Sequence, residues 1–293
     1  MNILSCFDGI SCGQVALQRV GIPIDNYFAS EIDPYAIKVT MKNFPNTKQL
    51  GDITTINSKQ LPKIDLLFGG SPCQGFSFAG KQLNFNDPRS KLFFEYVSLL
   101  TESQPKYFLL ENVAMKKESE DIITKYMGVK PILINSNLFS AQNRKRLYWT
   151  NIPIDPLPNS DLCIKDILES KVDDKYYVTE TFAKTFVPNT NNPLKGRLNY
   201  ATGKSSQLCH VMDQNGKAAC CSAGSNGRDT YIQENIYYPN TNTKRIRKLT
   251  PIEWERLQTL PDNYSDGISD SRRYHAIGNS WTVDVISHIF KGI

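Results

Sequence analysis

The sequence predicts an α/β protein with a doubly wound, mainly parallel sheet and a smaller inserted region. Over the first 150 residues, short apolar segments bounded by Gly, Pro, Asp or Asn alternate with segments of helical periodicity. Such alternation is typical of a parallel sheet covered by helices on both faces. A stretch rich in Asn, Thr, Ser, Gly and Pro follows over residues 153–243. Helical periodicity then returns, which indicates that the end of the chain rejoins the α/β lobe.

The individual elements follow from these patterns. The predicted strands are Asn2–Cys6, Tyr27–Ser30, Lys48–Gly51, Ile64–Phe68, Tyr107–Leu110, Pro131–Asn135 and Arg146–Thr150, the last as an antiparallel partner at the sheet edge. The predicted helices of the first part are Gly13–Val20, Pro34–Asn43, Ser90–Glu102 and Lys116–Tyr126. Near the end of the chain, a helix over Pro251–Leu260 has Thr250 as its cap and Pro251 at its first position, and Thr282–Phe290 closes the fold.

Composition narrows the class of protein. The chain has 293 residues, of which 40% are hydrophobic and 22% charged, as in soluble globular proteins. No segment approaches the roughly 18 apolar residues of a membrane helix, and the amino terminus lacks the features of a signal peptide; we expect a cytoplasmic protein without membrane contact. The seven cysteines form no Cys-x-x-Cys pair, so we expect neither a disulfide framework nor a metal site, and only Cys209-His210 hints at a ligand pair.

The formal net charge of +5 is unevenly placed. Two short basic clusters stand out, Arg144-Lys145-Arg146 and Lys244-Arg245-Ile246-Arg247-Lys248. Such clusters are either ordinary solvated surface or the footprint of a nucleic acid, whose phosphates require clustered cations. Charge by itself leaves both interpretations open.

Phe7-Asp8-Gly9-Ile10 directly follows the first strand and precedes a helix. Glycine lets the backbone approach a ligand, and a helix start offers free N–H groups. Glu31, at the end of the second strand, could accept both hydroxyls of a ribose, and Asp52 after the third could accept from an adenine amino group. The pattern fits an adenosine-containing cofactor, including NAD; the alternative is that both acids only cap helices.

A cysteine and a glutamate follow two apolar runs. Cys73 lies in Ser71-Pro72-Cys73-Gln74-Gly75-Phe76-Ser77, and Glu111 ends the run Tyr107–Leu110. A thiolate is a strong nucleophile whose pKa a nearby cation such as Arg144 or Arg146 would lower, while a carboxyl group can protonate a ring nitrogen. Pyrimidine activation needs both groups. The alternative is a buried cysteine and a structural acid.

Several motifs, in order along the chain, resemble those of the cytosine-5 DNA methyltransferases of bacteria and phages. They are Phe7-Asp8-Gly9, Ser71 to Ser77, Glu111-Asn112-Val113, Gln142-Asn143-Arg144-Lys145-Arg146, Arg247 to Pro251, Glu253 to Gln258 and Ala276-Ile277-Gly278-Asn279-Ser280. The first and last are also similar to the animal de novo branch. Two departures are Ser11-Cys12 in place of a glycine pair and Ile252 where an arginine is common.

The resemblance implies a Rossmann-like methyltransferase sheet, S-adenosyl-L-methionine as cofactor (S-adenosyl-L-homocysteine as product) and duplex DNA as substrate. Cys73 would attack C6 of a flipped-out cytosine and Glu111 would hold N3, with Arg144 and Arg146 beside them. The cofactor would be bound by Phe7, Asp8, Gly9, Ile10, Glu31, Ile32, Asp52, Ile53, Gly70, Pro72, Asn279, Ser280 and Trp281. DNA would be bound by Gln74, Ser77, Lys81, Arg89, Gln142 and Arg247.

The resemblance also implies which parts of the chain form the catalytic domain and which form the target-recognition region. Residues 1–153 and 244–293 would form the catalytic domain and residues 154–243 the target-recognition region. The segment 75–90 holds Gly75 and Gly80 and is long for a connection without secondary structure, so we expect a mobile loop that closes over DNA; the alternative is a static surface loop. A cognate restriction endonuclease acting separately is a candidate partner. Two rival functions remain, a tRNA cytosine-5 methyltransferase and a DNA-binding or cofactor-sensing relative without turnover.

Overall fold

The computed structural model describes residues 1–71, 88–184, 197–198, 211–228 and 230–293. The chain divides into two compact units. Unit 1 comprises Met1–Asn135, Lys145–Pro156 and Val285–Ile293, and unit 2 comprises Ser136–Arg144 and Leu157–Asp284. This division differs from the predicted boundaries, because residues 136–144 and 244–284 pack within unit 2; the predicted catalytic and target-recognition domains stay predictions.

Unit 1 is built on a seven-stranded sheet. Its strands are β1 (Asn2–Cys6), β2 (Asn26–Ser30), β3 (Lys48–Gln49), β4 (Leu66–Gly70), β5 (Tyr107–Val113), β6 (Ile132–Asn135) and β7 (Lys145–Thr150). Their order is β3-β2-β1-β4-β5-β7-β6, and the pairs from β3 to β5 are all parallel. This is the doubly wound, mainly parallel sheet that the sequence predicts.

The placement of β7 corrects one prediction. This strand is antiparallel, as expected, but it lies between β5 and β6 instead of at the edge. Its central residues Leu147, Tyr148 and Trp149 are buried, which suits a strand with neighbours on both sides. The edge strand on this side of the sheet is β6, where Ile132 and Leu133 are exposed.

The helices of unit 1 are α1 (Cys12–Arg19), α2 (Pro34–Asn43), α3 (Pro88–Ser103), α4 (Lys117–Met127) and, at the end of the chain, α8 (Val283–Phe290). All lie within two residues of the predicted positions. The Asp33 carboxylate caps α2 by accepting from the Tyr35 N–H, and Pro34 holds the first helical position. Tyr96 of α3 is fully buried, and its hydroxyl donates to the Leu109 carbonyl at 3.0 Å, which fixes α3 against β5.

Unit 2 contains a four-stranded sheet and short helices. Its strands are β8 (Arg197–Leu198), β9 (Val211–Met212), β10 (Tyr231–Tyr237) and β11 (Lys244–Lys248), in the order β11-β10-β9-β8. The helices are α5 (Glu180–Ala183), α6 (Pro251–Leu257) and α7 (Asp270–Asn279). Thr250 and Glu253 form a capping box at the start of α6.

Helix α7 is absent from the sequence prediction. It begins Asp270-Ser271-Arg272-Arg273, and its buried residues include the charged Arg273 beside Tyr274 and Ile277. An apolar periodicity is therefore missing from its first turn. The helix is stabilised there by an ion pair instead, with Arg273 Nη2 2.9 Å from the buried Glu255 Oε1.

Candidate functional site

The carboxyl ends of the parallel strands meet at one edge of the unit 1 sheet. Cys6, the last residue of β1, is in register with Ser30 on one side and Gly69 on the other. Gly70 is in turn in register with Glu111 of β5. The segments that follow β1, β2 and β4, together with Glu111, therefore share this edge, which is where open α/β sheets bind their ligands.

The turn between β1 and α1 has a strained backbone. Phe7, Gly9 and Ser11 have φ angles of 58°, 58° and 62°, a left-handed region that is uncommon for a residue such as Phe or Ser. Hydrogen bonds hold the turn, including Asp8 N–H to the Ser30 carbonyl at 2.9 Å and Ser11 N–H to the Asp8 carbonyl at 3.0 Å. Strain of this kind persists where the surroundings enforce it, and it clusters at ligand sites.

One carboxylate oxygen of Asp8, at the carboxyl edge of the sheet, accepts no hydrogen bond from the described residues. Its Oδ1 accepts from the hydroxyls of Ser5 at 2.6 Å and Tyr27 at 2.7 Å. Its Oδ2 is buried and has no hydrogen-bond partner among the residues that the structure describes. Burial raises the pKa of Asp8 to about 6, although the hydrogen bonds from Ser5 and Tyr27 oppose the rise. A buried carboxylate oxygen without a donor is a place where a ligand donor or cation would be stabilised.

Glu31 connects the end of β2 to the strained turn. Its Oε2 accepts from the Gly9 N–H, and its Oε1 accepts from the N–H groups of Ile32 and Asp33, all at 2.8 Å. The neighbouring Ile32 side chain is 73% exposed, which leaves an apolar face open beside the carboxylate. Glu31 thus both shapes the turn and lies beside a surface suited to a flat apolar group.

Asp52 has the capping role that the sequence left as an alternative. Its Oδ1 accepts from the backbone N–H and the hydroxyl of Thr54, both at 2.9 Å, at the start of a short 3₁₀ helix. These hydrogen bonds lower the pKa of Asp52. Ile53, the other residue predicted here, is buried in the core of unit 1.

Glu111 and Arg146 form the central ion pair of the site. Glu111 lies within β5 rather than at its end, because the strand continues to Val113. Arg146 Nε is 2.9 Å from Glu111 Oε1, and the two side chains are only 15% and 10% exposed, respectively. Such a pair is oriented by the strands themselves, since Val113 and Arg146 are in register across β5 and β7.

Asn112 is a residue to which the sequence analysis gave no role. It is buried, and its Nδ2 donates to the carbonyl and hydroxyl oxygens of Ser71, both at 3.2 Å. Ser71 directly precedes Pro72 and Cys73, so Asn112 fixes the point from which the cysteine-bearing segment leaves the sheet. The sequence signal that could have identified Asn112 was its position next to Glu111 in the motif Glu111-Asn112-Val113.

Comparison with known proteins places the chain in a family. A family model described as C-5 cytosine-specific DNA methylase matches residues 1–293. The Type II methyltransferase M1.ScrFI of Lactococcus lactis subsp. cremoris is 33% identical over 314 residues, covering 98% of this chain and 76% of that protein.

The chain belongs to the C-5 cytosine-specific DNA methylase family. A further relative, the Type II methyltransferase M.HpaII of Haemophilus parainfluenzae, is 31% identical and covers 100% of this chain and 88% of its own length. Among solved structures, the Entamoeba histolytica methyltransferase EhMeth has a TM-score of 0.76 at 21% identity, covering 100% of this chain and 97% of that one. S. pombe Dnmt2 methyltransferase has a TM-score of 0.73 at 20% identity, covering 99% and 97%. Both have the same fold.

Two predicted DNA contacts of this methylase lie in the interior of unit 2. Gln142 is fully buried, and its Nε2 donates to the Leu257 carbonyl at 3.2 Å. Arg247 is also fully buried, where it pairs with Glu253 at 2.7 Å and Glu234 at 2.5 Å. These internal bonds stabilise unit 2, and contact of either residue with DNA stays a prediction that the burial does not support. Membership of a basic or polar motif carries no information on burial.

Arg144 has a supporting position within unit 2. Its Nη1 lies 3.2 Å from the Cys221 carbonyl and 3.3 Å from Cys220 Sγ. Its Nη2 donates to the carbonyls of Gly278 at 3.2 Å and Ser280 at 2.8 Å. These contacts hold backbone segments together, so the structure supports a positioning role and leaves the predicted catalytic role as a prediction.

The other predicted residues of the methylase lie in several places, among which Ile10 is buried in the turn after β1. Gly70 ends β4 at the site edge, while Asn279, Ser280 and Trp281 lie at and beyond the end of α7 in unit 2. Arg89 lies in the first turn of α3. Pro72, Cys73, Gln74, Ser77, Lys81 and the rest of the predicted loop 75–87 lie outside the described residues; so does Cys209-His210.

Two searches of the described residues found nothing. No group of three or more His, Cys, Asp and Glu side chains within them could hold a metal ion. In the same parts of the chain, no helix is long and apolar enough to cross a membrane.

Proposed function

We propose that the protein transfers a methyl group from S-adenosyl-L-methionine to C5 of a cytosine in duplex DNA. The observation that carries this proposal is the Glu111–Arg146 pair, one strand away from the segment that leads to Cys73. Gly70 and Glu111 are directly in register, and Cys73 is three residues beyond Gly70. The strand that precedes Cys73 in sequence is thus the direct neighbour of the strand that carries the Glu111 carboxyl group, and pyrimidine activation needs a thiol and a carboxyl group.

In the proposed reaction, the Cys73 thiolate adds to C6 of the cytosine while the Glu111 carboxyl group protonates or hydrogen-bonds N3. The electron pair of the C5–C6 bond then becomes available at C5, which takes up the methyl group. Loss of the C5 proton expels Cys73 and restores the aromatic ring. Arg146 keeps Glu111 in its orientation throughout, and its guanidinium can donate to the base.

The target base must leave the helix in this proposal. A thiolate has to approach C6 from above the ring, which neighbouring bases cover in a stacked duplex. Extruding the base costs a few kcal/mol. The proposal therefore includes base flipping into the edge of the sheet where Glu111 lies.

The residues at the β1 and β2 ends fit the cofactor. S-adenosyl-L-methionine supplies an electrophilic methyl group, and it carries a sulfonium and an ammonium cation. Asp8 Oδ2, which has no partner among the described residues, would accept from the ammonium group, and the exposed Ile32 side chain would cover the adenine. Glu31 would bind the ribose hydroxyls. Asn279, Ser280 and Trp281 remain predicted cofactor contacts on the resemblance alone.

Cofactor affinity should depend on pH through Asp8. The pKa of Asp8 is raised to about 6, so its carboxylate is ionised above that pH and protonated below it. We expect the Kd for S-adenosyl-L-methionine, measured by calorimetry from pH 5 to 8, to rise as the pH falls through 6. An Asp8→Asn variant should bind weakly at every pH and lack the inflection. An inflection that survives in the variant would exclude Asp8 as its cause.

The proposal is tested by supplying the purified protein with radiolabelled cofactor and either duplex DNA or tRNA. We expect label in DNA as 5-methylcytosine; label confined to tRNA would contradict the proposal, and label in neither would indicate a relative without turnover. Duplex DNA containing 5-fluorocytosine should form a covalent complex, because fluorine at C5 cannot leave as a cation. Peptide mapping should locate the adduct at Cys73, and another attachment site would refute its assignment.

The remaining functional statements are proposals of the same kind. Two relatives are named type II methyltransferases, which supports a separately acting restriction endonuclease as partner. Another relative is named an orphan methyltransferase, from Bacillus phage SPR. Residues 154–243 remain the proposed target-recognition region, and cytoplasmic location remains a prediction.

A further inference from the structure

The hydroxyl groups of Ser5 and Tyr27 meet on one oxygen of the Asp8 carboxylate. Ser5 belongs to β1 and Tyr27 to β2, and both side chains are buried. We propose that Ser5 and Tyr27 are positioning residues of the cofactor site, which hold Asp8 in the orientation and the charged form that the ammonium group of S-adenosyl-L-methionine needs. The inference rests on the proposed function and adds two residues that act through Asp8.

The two hydroxyls make the oxygens of Asp8 unlike one another. Oδ1 accepts from Ser5 at 2.6 Å and from Tyr27 at 2.7 Å, whereas Oδ2 has no partner among the described residues. The torsion that turns an aspartate carboxylate has a broad, roughly two-fold preference, so it does not by itself select which oxygen faces a ligand. Two donors that converge on Oδ1 make that selection and leave Oδ2 for the ammonium group.

The two donors are themselves fixed by packing. Tyr27 and Phe68 lie on the strands at either side of β1, with ring centroids 6.1 Å apart. A Cβ atom on Gly13 of α1 would lie 2.4 Å from the Phe68 ring and 3.2 Å from the Tyr27 hydroxyl oxygen, so glycine leaves the room that both rings occupy. Ser5 lies within β1, in register with Ala29 and Phe68. Donors held this firmly can fix the side chain that they bind.

The same hydrogen bonds bear on the charge of Asp8. Burial raises the pKa of Asp8 to about 6, and the bonds from Ser5 and Tyr27 oppose the rise because they favour the charged form. The like charge of Glu31 adds to the rise. Burial also raises the pKa values of Cys6 and Tyr27 well above their usual range, so both are neutral at pH 7 and Tyr27 stays a donor. Asp8 is therefore ionised at pH 7, and loss of either hydroxyl would favour its neutral form.

Tyr27→Phe and Ser5→Ala each remove one donor and keep most of the side chain's packing. We expect the pH at which Asp8 titrates in the ligand-free protein to rise by about 1 to 2 pH units, since a hydrogen bond to a charged group is lost. NMR of protein labelled with carbon-13 at the aspartate carboxyl groups would follow this titration, and Asp8→Asn would assign the signal.

Cofactor binding should change with the titration. At pH 7 the Kd for S-adenosyl-L-methionine, measured by calorimetry, should rise by about 2- to 10-fold in each variant, because the ionised fraction of Asp8 falls by that factor. The ratio of variant to wild-type Kd should be smaller at pH 8.5 than at pH 7, where more of the variant's Asp8 is protonated. Taking the ratio removes the titration of the cofactor's own amino group, which both proteins share.

Tyr96→Phe is the matched control. It also removes a fully buried phenol hydroxyl from unit 1, but this hydroxyl donates to the Leu109 carbonyl instead of Asp8. The control should leave the Asp8 titration and the cofactor Kd unchanged at every pH.

The outcomes separate this inference from the function on which it rests. An Asp8 titration that does not move in Tyr27→Phe and Ser5→Ala would overturn the inference. A Kd raised by the same factor at every pH, together with a lowered melting temperature, would show a structural role alone and would overturn it too. If the titration moves but the Kd does not follow, Asp8 does not hold the ammonium group. A wild-type protein that binds no S-adenosyl-L-methionine at any pH would refute the proposed function itself.

Discussion

Replacement of Glu111 by glutamine is expected to lower kcat for DNA methylation by about 10²- to 10⁴-fold, the range that general acid catalysis contributes. The glutamine side chain has nearly the same shape as that of glutamate. Its carbonyl oxygen can still accept from Arg146 Nε, which lies 2.9 Å from Glu111 Oε1 in the wild-type protein. It cannot deliver a proton to N3. The variant should therefore fold and bind cofactor normally while C5 remains a weak nucleophile.

The comparison requires a control in the same unit. Glu118→Gln neutralises an exposed acid in the first turn of α4, so it should change kcat less than twofold. Single-turnover rates would show whether the loss is in the chemical step or in product release. If Glu111→Gln and Glu118→Gln have the same rate, Glu111 takes no part in proton transfer.

Replacement of Arg247 by methionine is expected to destabilise unit 2 by about 3–5 kcal/mol, the cost of leaving a buried partner charge uncompensated. The Arg247 and Glu253 side chains are 1% and 0% exposed. Burial by itself lowers the pKa of Arg247, but the hydrogen bonds and charges of Glu253 and Glu234 outweigh it and raise the pKa above its usual value. Without Arg247, the donors that the described residues offer the Glu253 carboxylate are the backbone N–H groups of Thr250 and Glu169.

Urea unfolding monitored by tryptophan fluorescence would measure this loss, since the fully buried Trp254 lies in α6 beside Glu253. Arg272→Met, on the exposed face of α7, should cost less than about 1 kcal/mol. Adding Glu253→Gln to Arg247→Met should recover part of the stability, because the uncompensated charge is then removed. A fully additive double variant would show that the ion pair is not what Arg247 contributes.

The strands and helices of unit 1 were predictable because their signals are local. Buried parallel strands appear as short apolar runs, and Pro34 after Asp33 marks a helix start whatever surrounds it. The neighbours of β7 were not predictable, since its sequence indicates only that it is buried. Helix α7 was not predicted because its first turn buries a charged residue, Arg273, which pairs with Glu255 of another helix.

The residues of the candidate site likewise divide into those that the sequence predicted and those whose position only the structure revealed. The motifs predicted that Glu111 and Arg146 matter, and the resemblance gave their roles. The resemblance also gave Gln142 and Arg247 as DNA contacts, and only the structure showed that both side chains are buried. Asn112 gained its role only when β4 and β5 came into register and brought Ser71 within 3.2 Å of its amide.

The sequence by itself determined the order of strands and helices in unit 1 and the family, and it predicted the reactive groups. These depend on residue type and spacing along the chain, which folding does not alter. Only the tertiary structure decided which charged and amide side chains are buried and which face solvent. Whether such a side chain is buried depends on partners from other elements of the fold, as Glu253 and Glu234 are for Arg247. The reason is that a charged group is buried without a large cost in free energy only where the fold supplies an opposite charge.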